Sequence, residues 1–132
     1  MQIIISNSSD KPIYQQIVDN IKEAILNGDL IGGEALPSIR TLAKDLKISN
    51  ITTKRAYEEL EKDGFIEAIA TKGYFVKNKS EDFKKEEILK KVETSLNETI
   101  KIANTYGITK EEVLNMLNIL YEEENNEKYN WN

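Results

Sequence analysis

Between Leu36 and Val76 the chain packs two short helical patterns and a strand–turn–strand pattern into about forty residues, LPSIRTLAKDLKISNITTKRAYEELEKDGFIEAIATKGYFV. The polar turn Lys47-Ile48-Ser49-Asn50 separates the two helices. In this order the pieces read as a helix-turn-helix followed by a β-wing. That arrangement lays its second helix in the major groove of DNA.

The flanking sequence extends the pattern. Residues 2–6 form a short apolar run, a strand or a packed arm. Pro12 suits the first position of a helix, and Ile13, Ile17, Ile21 and Ile25 repeat every four residues, with Tyr14, Val18 and Ala24 beside them and Gly28 as the stop. Ser38 can cap a second helix whose Ile39, Leu42, Ala43 and Leu46 face inward, and Ser49 can cap a third that ends at Gly64. Phe65–Ala70 and Tyr74–Lys77 then flank Thr71-Lys72-Gly73 as a hairpin with its turn glycine. Ser80, with Glu81 and Asp82 in the first turn, opens a long helix stopped by Gly107, and Thr109-Lys110-Glu111-Glu112 is a capping box for a last one. From Glu122 onward the chain is acidic and Asn-rich, the composition of a disordered tail.

Composition removes several classes of function. With neither cysteine nor histidine, a disulfide framework, an ordinary zinc site and the Ser/His/Asp and Cys/His catalytic sets are excluded. No paired-carboxylate site can be assembled, so neither an enzyme nor a cofactor is expected. No signal peptide and no apolar run of membrane-spanning length is seen, so a cytoplasmic location without membrane contact is the expectation. The formal net charge of −5 looks wrong for a nucleic-acid binder, but its distribution reverses that impression. Over residues 36–55, Arg40, Lys44, Lys47, Lys54 and Arg55 stand against Asp45 alone, while the next stretch carries Glu58, Glu59, Glu61, Asp63 and Glu67.

A recognition helix presents its first turns to the bases, because its later turns return to the core. With Ala56, Tyr57 and Leu60 packed inward, Ser49, Asn50, Ile51, Thr52 and Lys54 are left toward DNA. Asparagine can pair with adenine through two hydrogen bonds, and an apolar side chain can meet a thymine methyl. Lys54 can reach a guanine or a phosphate. Each has a plainer alternative: Thr52 stabilising the helix start, Ile51 serving the core, Arg55 pointing sideways toward phosphate. Lys44 and Lys47 add only to the general field.

Four segments also resemble, in order and without gaps over residues 10–77, the GntR family of bacterial transcription regulators. They are Pro12-Ile13-Tyr14-Gln15-Gln16-Ile17; Leu36-Pro37-Ser38-Ile39-Arg40-Thr41-Leu42-Ala43; Thr52 with Ala56, Leu60 and Gly64; and Lys72-Gly73-Tyr74-Phe75-Val76. The short remainder resembles the YtrA-like branch, in which two helices replace a large effector domain. The resemblance implies that Arg40 is the family's phosphate- or guanine-contacting arginine, a role its length and fork suit, against a surface ion pair with Asp45 or Glu34. The wing departs from the family's Arg-rich pattern: Ala68-Ile69-Ala70-Thr71 offers no arginine for the minor groove, leaving Lys72, with Gly73 beside it, to touch the backbone. Thr53 stands where the family has an aliphatic residue. Autoregulation and control of nearby transporter genes are implied by the family alone.

The expected architecture is α+β and mainly α: a winged helix-turn-helix over residues 1–78, a two-helix dimerisation extension over 79–124 and a tail over 125–132. Leu89, Val92, Leu96, Leu117 and Leu120 form seams too wide for one long and one short helix to bury against each other, so a second copy of the chain is the expected cover. Tyr106 and Trp131 read as core or tail packing rather than a ligand box. The function expected is that of a homodimeric repressor on a double-stranded inverted-repeat operator, with an unidentified small-molecule effector left open. The alternative is an interaction module with a winged-helix fold that has lost strong DNA binding.

Overall fold

The structure, a computed structural model, describes residues 2–129. Along these residues run α1 (Ile13–Leu26), α2 (Ile39–Leu46), α3 (Asn50–Lys62), β1 (Ile66–Ile69), β2 (Gly73–Val76), α4 (Glu81–Thr105) and α5 (Lys110–Tyr129). The fold is mainly helical with one small antiparallel sheet, a winged helix. The chain divides into two compact units, Met1–Ile88 and Leu89–Asn132.

In the first unit the four-residue repeat of α1 does what its spacing dictates. Ile17, Ile21 and Ile25 line one face and pack with Leu42 of α2, Ala56, Tyr57 and Leu60 of α3, and Phe65, Ile66 and Val76 of the hairpin. Fully burying each large side chain contributes about 1.5–3 kcal/mol. Pro12 sits at the cap position, immediately outside the helix rather than in its first turn. Residues 2–6 form a packed arm and not a strand: Ile3 and Ile5 lie against the core. Gln16, buried on α1, holds that arm. Its Oε1 accepts the Ser6 N–H at 2.8 Å, and its Nε2 donates to Ser6 O at 3.0 Å and Lys11 O at 2.9 Å.

The wing pairs Ile66 with Val76 and Ile69 with Gly73. The α1–α2 loop adds to it, since Val76 N–H donates to Glu34 O and Leu36 N–H to Tyr74 O. A Cβ at Gly32 in this loop would displace the Asn78 side chain and sit 3.1 Å from the Asn78 Cα. The sequence places the hairpin turn at Thr71–Gly73. Instead Gly73 begins β2, and the connection is Ala70-Thr71-Lys72, with Thr71 left-handed at φ 65°. A β-branched residue in that conformation carries about 1–2 kcal/mol of strain.

Ser80 caps α4 by accepting the Phe83 N–H at 3.2 Å. Phe83 meets the Phe65 ring edge-on at 5.6 Å, and the Lys79 ammonium lies 4.8 Å from the Phe83 ring centre. This contact places the opening of α4 in the first compact unit, which runs to Ile88.

In the second unit, Gly107 ends α4 at φ 72° and Ile108 N–H donates to Ala103 O at 2.8 Å. The Thr109–Glu112 capping box forms as expected: Glu112 N–H donates to Thr109 Oγ1 and Thr109 N–H to a Glu112 carboxylate oxygen. Residues 125–129, expected as tail, are helical and continue α5: no glycine or proline interrupts Asn125-Asn126-Glu127-Lys128-Tyr129 after the helix-favouring Glu122–Glu124. Trp131 lies outside the described residues. Tyr106 is exposed rather than packed, lying just past the end of α4 beside Gly107. Among the described residues, no helix is long and apolar enough to cross a membrane.

Candidate nucleic-acid interface

The turn between α2 and α3 is built from local hydrogen bonds. Lys47 takes the left-handed conformation (φ 58°, ψ 47°) that closes α2, and Ile48 N–H donates to Ala43 O at 3.0 Å. Ser49 is extended, and its Oγ accepts the Thr52 N–H at 3.0 Å, which satisfies one of the open donors at the start of α3. These bonds fix where α3 begins and therefore which residues it projects.

The inward face is settled by Thr53, Ala56, Tyr57 and Leu60, all fully buried. Thr53 is not the weak point its polarity suggests, because its hydroxyl donates to Ser49 O at 3.2 Å. No buried side-chain polar atom among the described residues lacks a partner. Tyr57 donates its hydroxyl to Pro37 O at 2.7 Å and meets Tyr74 edge-on at 5.0 Å. Burial pushes the Tyr57 phenol far above its usual range, so it stays neutral and donating. Burial also raises Tyr74, with the carboxylates of Glu61 and Glu58 adding to the effect. The Pro37 bond ties α3 to the segment that opens α2, and Arg40 is the second residue of α2.

What remains outward is the set expected from the sequence, with differences in how free each side chain is. Arg40, Asn50 and Lys54 are exposed, and no ion pair joins Arg40 to Asp45 or Glu34. Ile51 is 82% exposed, which removes the core reading for it. Thr52 is half-buried with its hydroxyl 2.8 Å from Ser49 Oγ, so it serves the helix start. Lys54 stands 3.9 Å from Glu58, a loose pair on the surface that contributes little. Arg55 lies over the Tyr14 ring with its guanidinium carbon 3.8 Å from the centre. It is thus turned toward Tyr14 of α1. Lys72 and Gly73 are exposed at the wing. Over residues 36–55 Arg40, Lys44, Lys47, Lys54 and Arg55 stand against Asp45 alone, all exposed, and the N-terminal end of α3 adds the positive potential of the helix dipole.

In the second unit Leu89, Val92, Leu96, Leu117 and Leu120 are each 39–55% exposed. A groove of about 420 Å³ is lined there by Leu96, Ile100, Ala103, Ile108, Val113 and Leu117, among others.

The sequence reading missed the anchoring role of Gln16 and the Tyr57–Pro37 bond. Gln16 belongs to the quoted Pro-Ile-Tyr-x-Gln-Ile motif and interrupts an otherwise apolar stripe, a signal that a polar group there has fixed partners.

Residues 13–76 match the family model described as bacterial regulatory proteins, gntR family. The chain is 36% identical over 80% of its length to the uncharacterized HTH-type transcriptional regulator YhcF of Bacillus subtilis, covering 87% of that protein. It is 32% identical to the HTH-type transcriptional repressor YtrA of the same organism, over 84% of this chain and 85% of that one. The crystal structure of a transcriptional regulator from Oenococcus oeni superposes with a TM-score of 0.75 at 27% identity, spanning 89% of this chain and 97% of that one. The chain belongs to the GntR family and is a transcription regulator, not an enzyme.

Proposed function

We propose that this GntR-family chain is a homodimeric repressor that binds an inverted-repeat operator in double-stranded DNA. Arg40, Ser49, Asn50, Ile51 and Lys54 form the base- and phosphate-contacting surface. Thr52 supports that surface from behind, and Arg55 reaches phosphate from the side. Lys72 and Gly73 touch the backbone at the wing. The observation that carries this reading is the exposed, locally basic N-terminal turn of α3, held in place by the Ser49 cap and the Tyr57–Pro37 bond.

One winged helix covers one half-site, so a palindromic operator requires two. The open apolar seams of Leu89, Val92, Leu96, Leu117 and Leu120 support pairing of α4 and α5 with a second copy. Repression is the activity named for the relative YtrA, and control of nearby transporter genes, with a small-molecule effector of unidentified chemistry, extends the family resemblance.

Salt dependence tests the DNA reading. Neutralising phosphates releases counterions, so operator affinity falls steeply with salt despite the net charge of −5. A log–log slope near zero in a titration of the intact chain on its own upstream DNA would replace this reading with that of an interaction module.

A further inference from the structure

Ile51 is the one large aliphatic residue between Leu36 and Phe65 that stands out as exposed, at 82%. It is also the second residue of α3, in the turn that a recognition helix points at the bases. Its neighbours explain why it cannot turn inward: Thr53, Ala56, Tyr57 and Leu60 occupy the core face, and the Ser49–Thr52 cap fixes the rotation of the first turn. An apolar side chain displayed among Arg40, Asn50 and Lys54 makes no hydrogen bond to a base edge.

The major groove offers such a side chain one apolar partner, the C5 methyl group of thymine. Beside Ile51, Asn50 carries the amide that matches the N6/N7 edge of adenine. We infer that Ile51 is a specificity-determining residue that reads a thymine methyl, and that the base pairs facing the start of α3 are A·T pairs. This deepens the operator-binding reading above and rests on it. The wing, with no arginine over residues 66–76, leaves specificity to α3 and Arg40, which sharpens the weight on this one contact.

The test uses the intact chain and a duplex it enriches from a randomised pool. Each thymine of the enriched half-site is replaced in turn by deoxyuridine, which removes the methyl and keeps the Watson–Crick pairing. One position should weaken binding about fourfold, the effect of losing one buried methyl group. Ile51→Ala should bind the thymine duplex more weakly and should no longer distinguish thymine from deoxyuridine at that position, while Ile51→Val retains part of the discrimination. Its melting should be unchanged because the side chain is solvent-exposed. Enrichment of a duplex with no deoxyuridine-sensitive position, or with the same sensitivity in Ile51→Ala, overturns the inference and leaves operator binding standing. If no duplex is enriched at all, operator binding and this inference fall together.

Discussion

In the winged unit Ile17, Ile21, Tyr57, Leu60 and Phe65 are all but completely buried, whereas in the unit that begins at Leu89 only Ala103 is buried among the described residues. The apolar content of the two is similar in kind, with isoleucines and leucines at helical spacing in both. The difference lies in what covers them. Three helices and a hairpin enclose the first set within one chain, while two helices leave Val92, Leu96, Ile100, Leu114 and Leu120 largely in water. One unit encloses its core within a single chain; the other leaves its apolar side chains about half exposed. Each part of the function therefore has a different kind of sensitivity to mutation.

The largest effect should come from removing the second unit. A chain ending at Ile88 retains the Phe83–Phe65 contact and should remain a folded winged helix. It should lose about 10²–10⁴ in operator affinity, because two linked half-sites gain from effective concentration. Undiminished affinity in a quantitative gel shift would break the comparison by showing that the winged unit suffices.

Next in size is a matched pair of core and seam substitutions. Ile21→Ala should lower thermal stability by about 2–5 kcal/mol, the range for truncating a buried large aliphatic residue. Leu96→Ala should leave the winged unit's melting in place and shift the association equilibrium instead. Equal thermal destabilisation by the two substitutions at low protein concentration would show that the seam is buried within a single chain.

Arg40→Ala and Lys54→Ala separate binding from folding. Each should cost about 1–3 kcal/mol of operator affinity if it makes a bidentate base contact, with unchanged melting because both are exposed. Unaltered affinity in both would remove the DNA face from this position. The smallest effect should be at the wing turn: Thr71→Gly relieves the left-handed strain and should raise stability by about 1 kcal/mol. A loss of stability would mean that the threonine side chain makes a compensating contact.

Much of this contrast was legible in the chain itself. The isoleucine spacing of α1, the caps at Ser38, Ser49 and Ser80, and the Thr109–Glu112 box are short-range signals, and each forms where its residues stand. The outward set on α3 followed from knowing which residues must face inward. Less legible were features that depend on residues distant in sequence. Gln16 acts on Ser6 and Lys11, Tyr57 on Pro37, and Phe83 on Phe65, and no local pattern announces any of these partners. The turn was placed one residue late, at Thr71–Gly73, because Gly73 looked like the turn residue; it does take a positive φ of 106°, but the strand register makes it the first residue of β2, and Thr71 carries the left-handed strain. The helical course of residues 125–129 was missed because acidic, Asn-rich composition argues for disorder, yet contains no residue that stops a helix.

The measurement that bears most directly on the account is sedimentation equilibrium of the intact chain at about 10–50 μM, a working range set by ordinary micromolar affinities. The exposed seams of α4 and α5 predict one species of twice the chain mass, converted toward single chains by Leu96→Glu with the winged unit still folded. A single-chain mass for the unaltered protein across that range would contradict the account, because the second unit's apolar face would then stand uncovered.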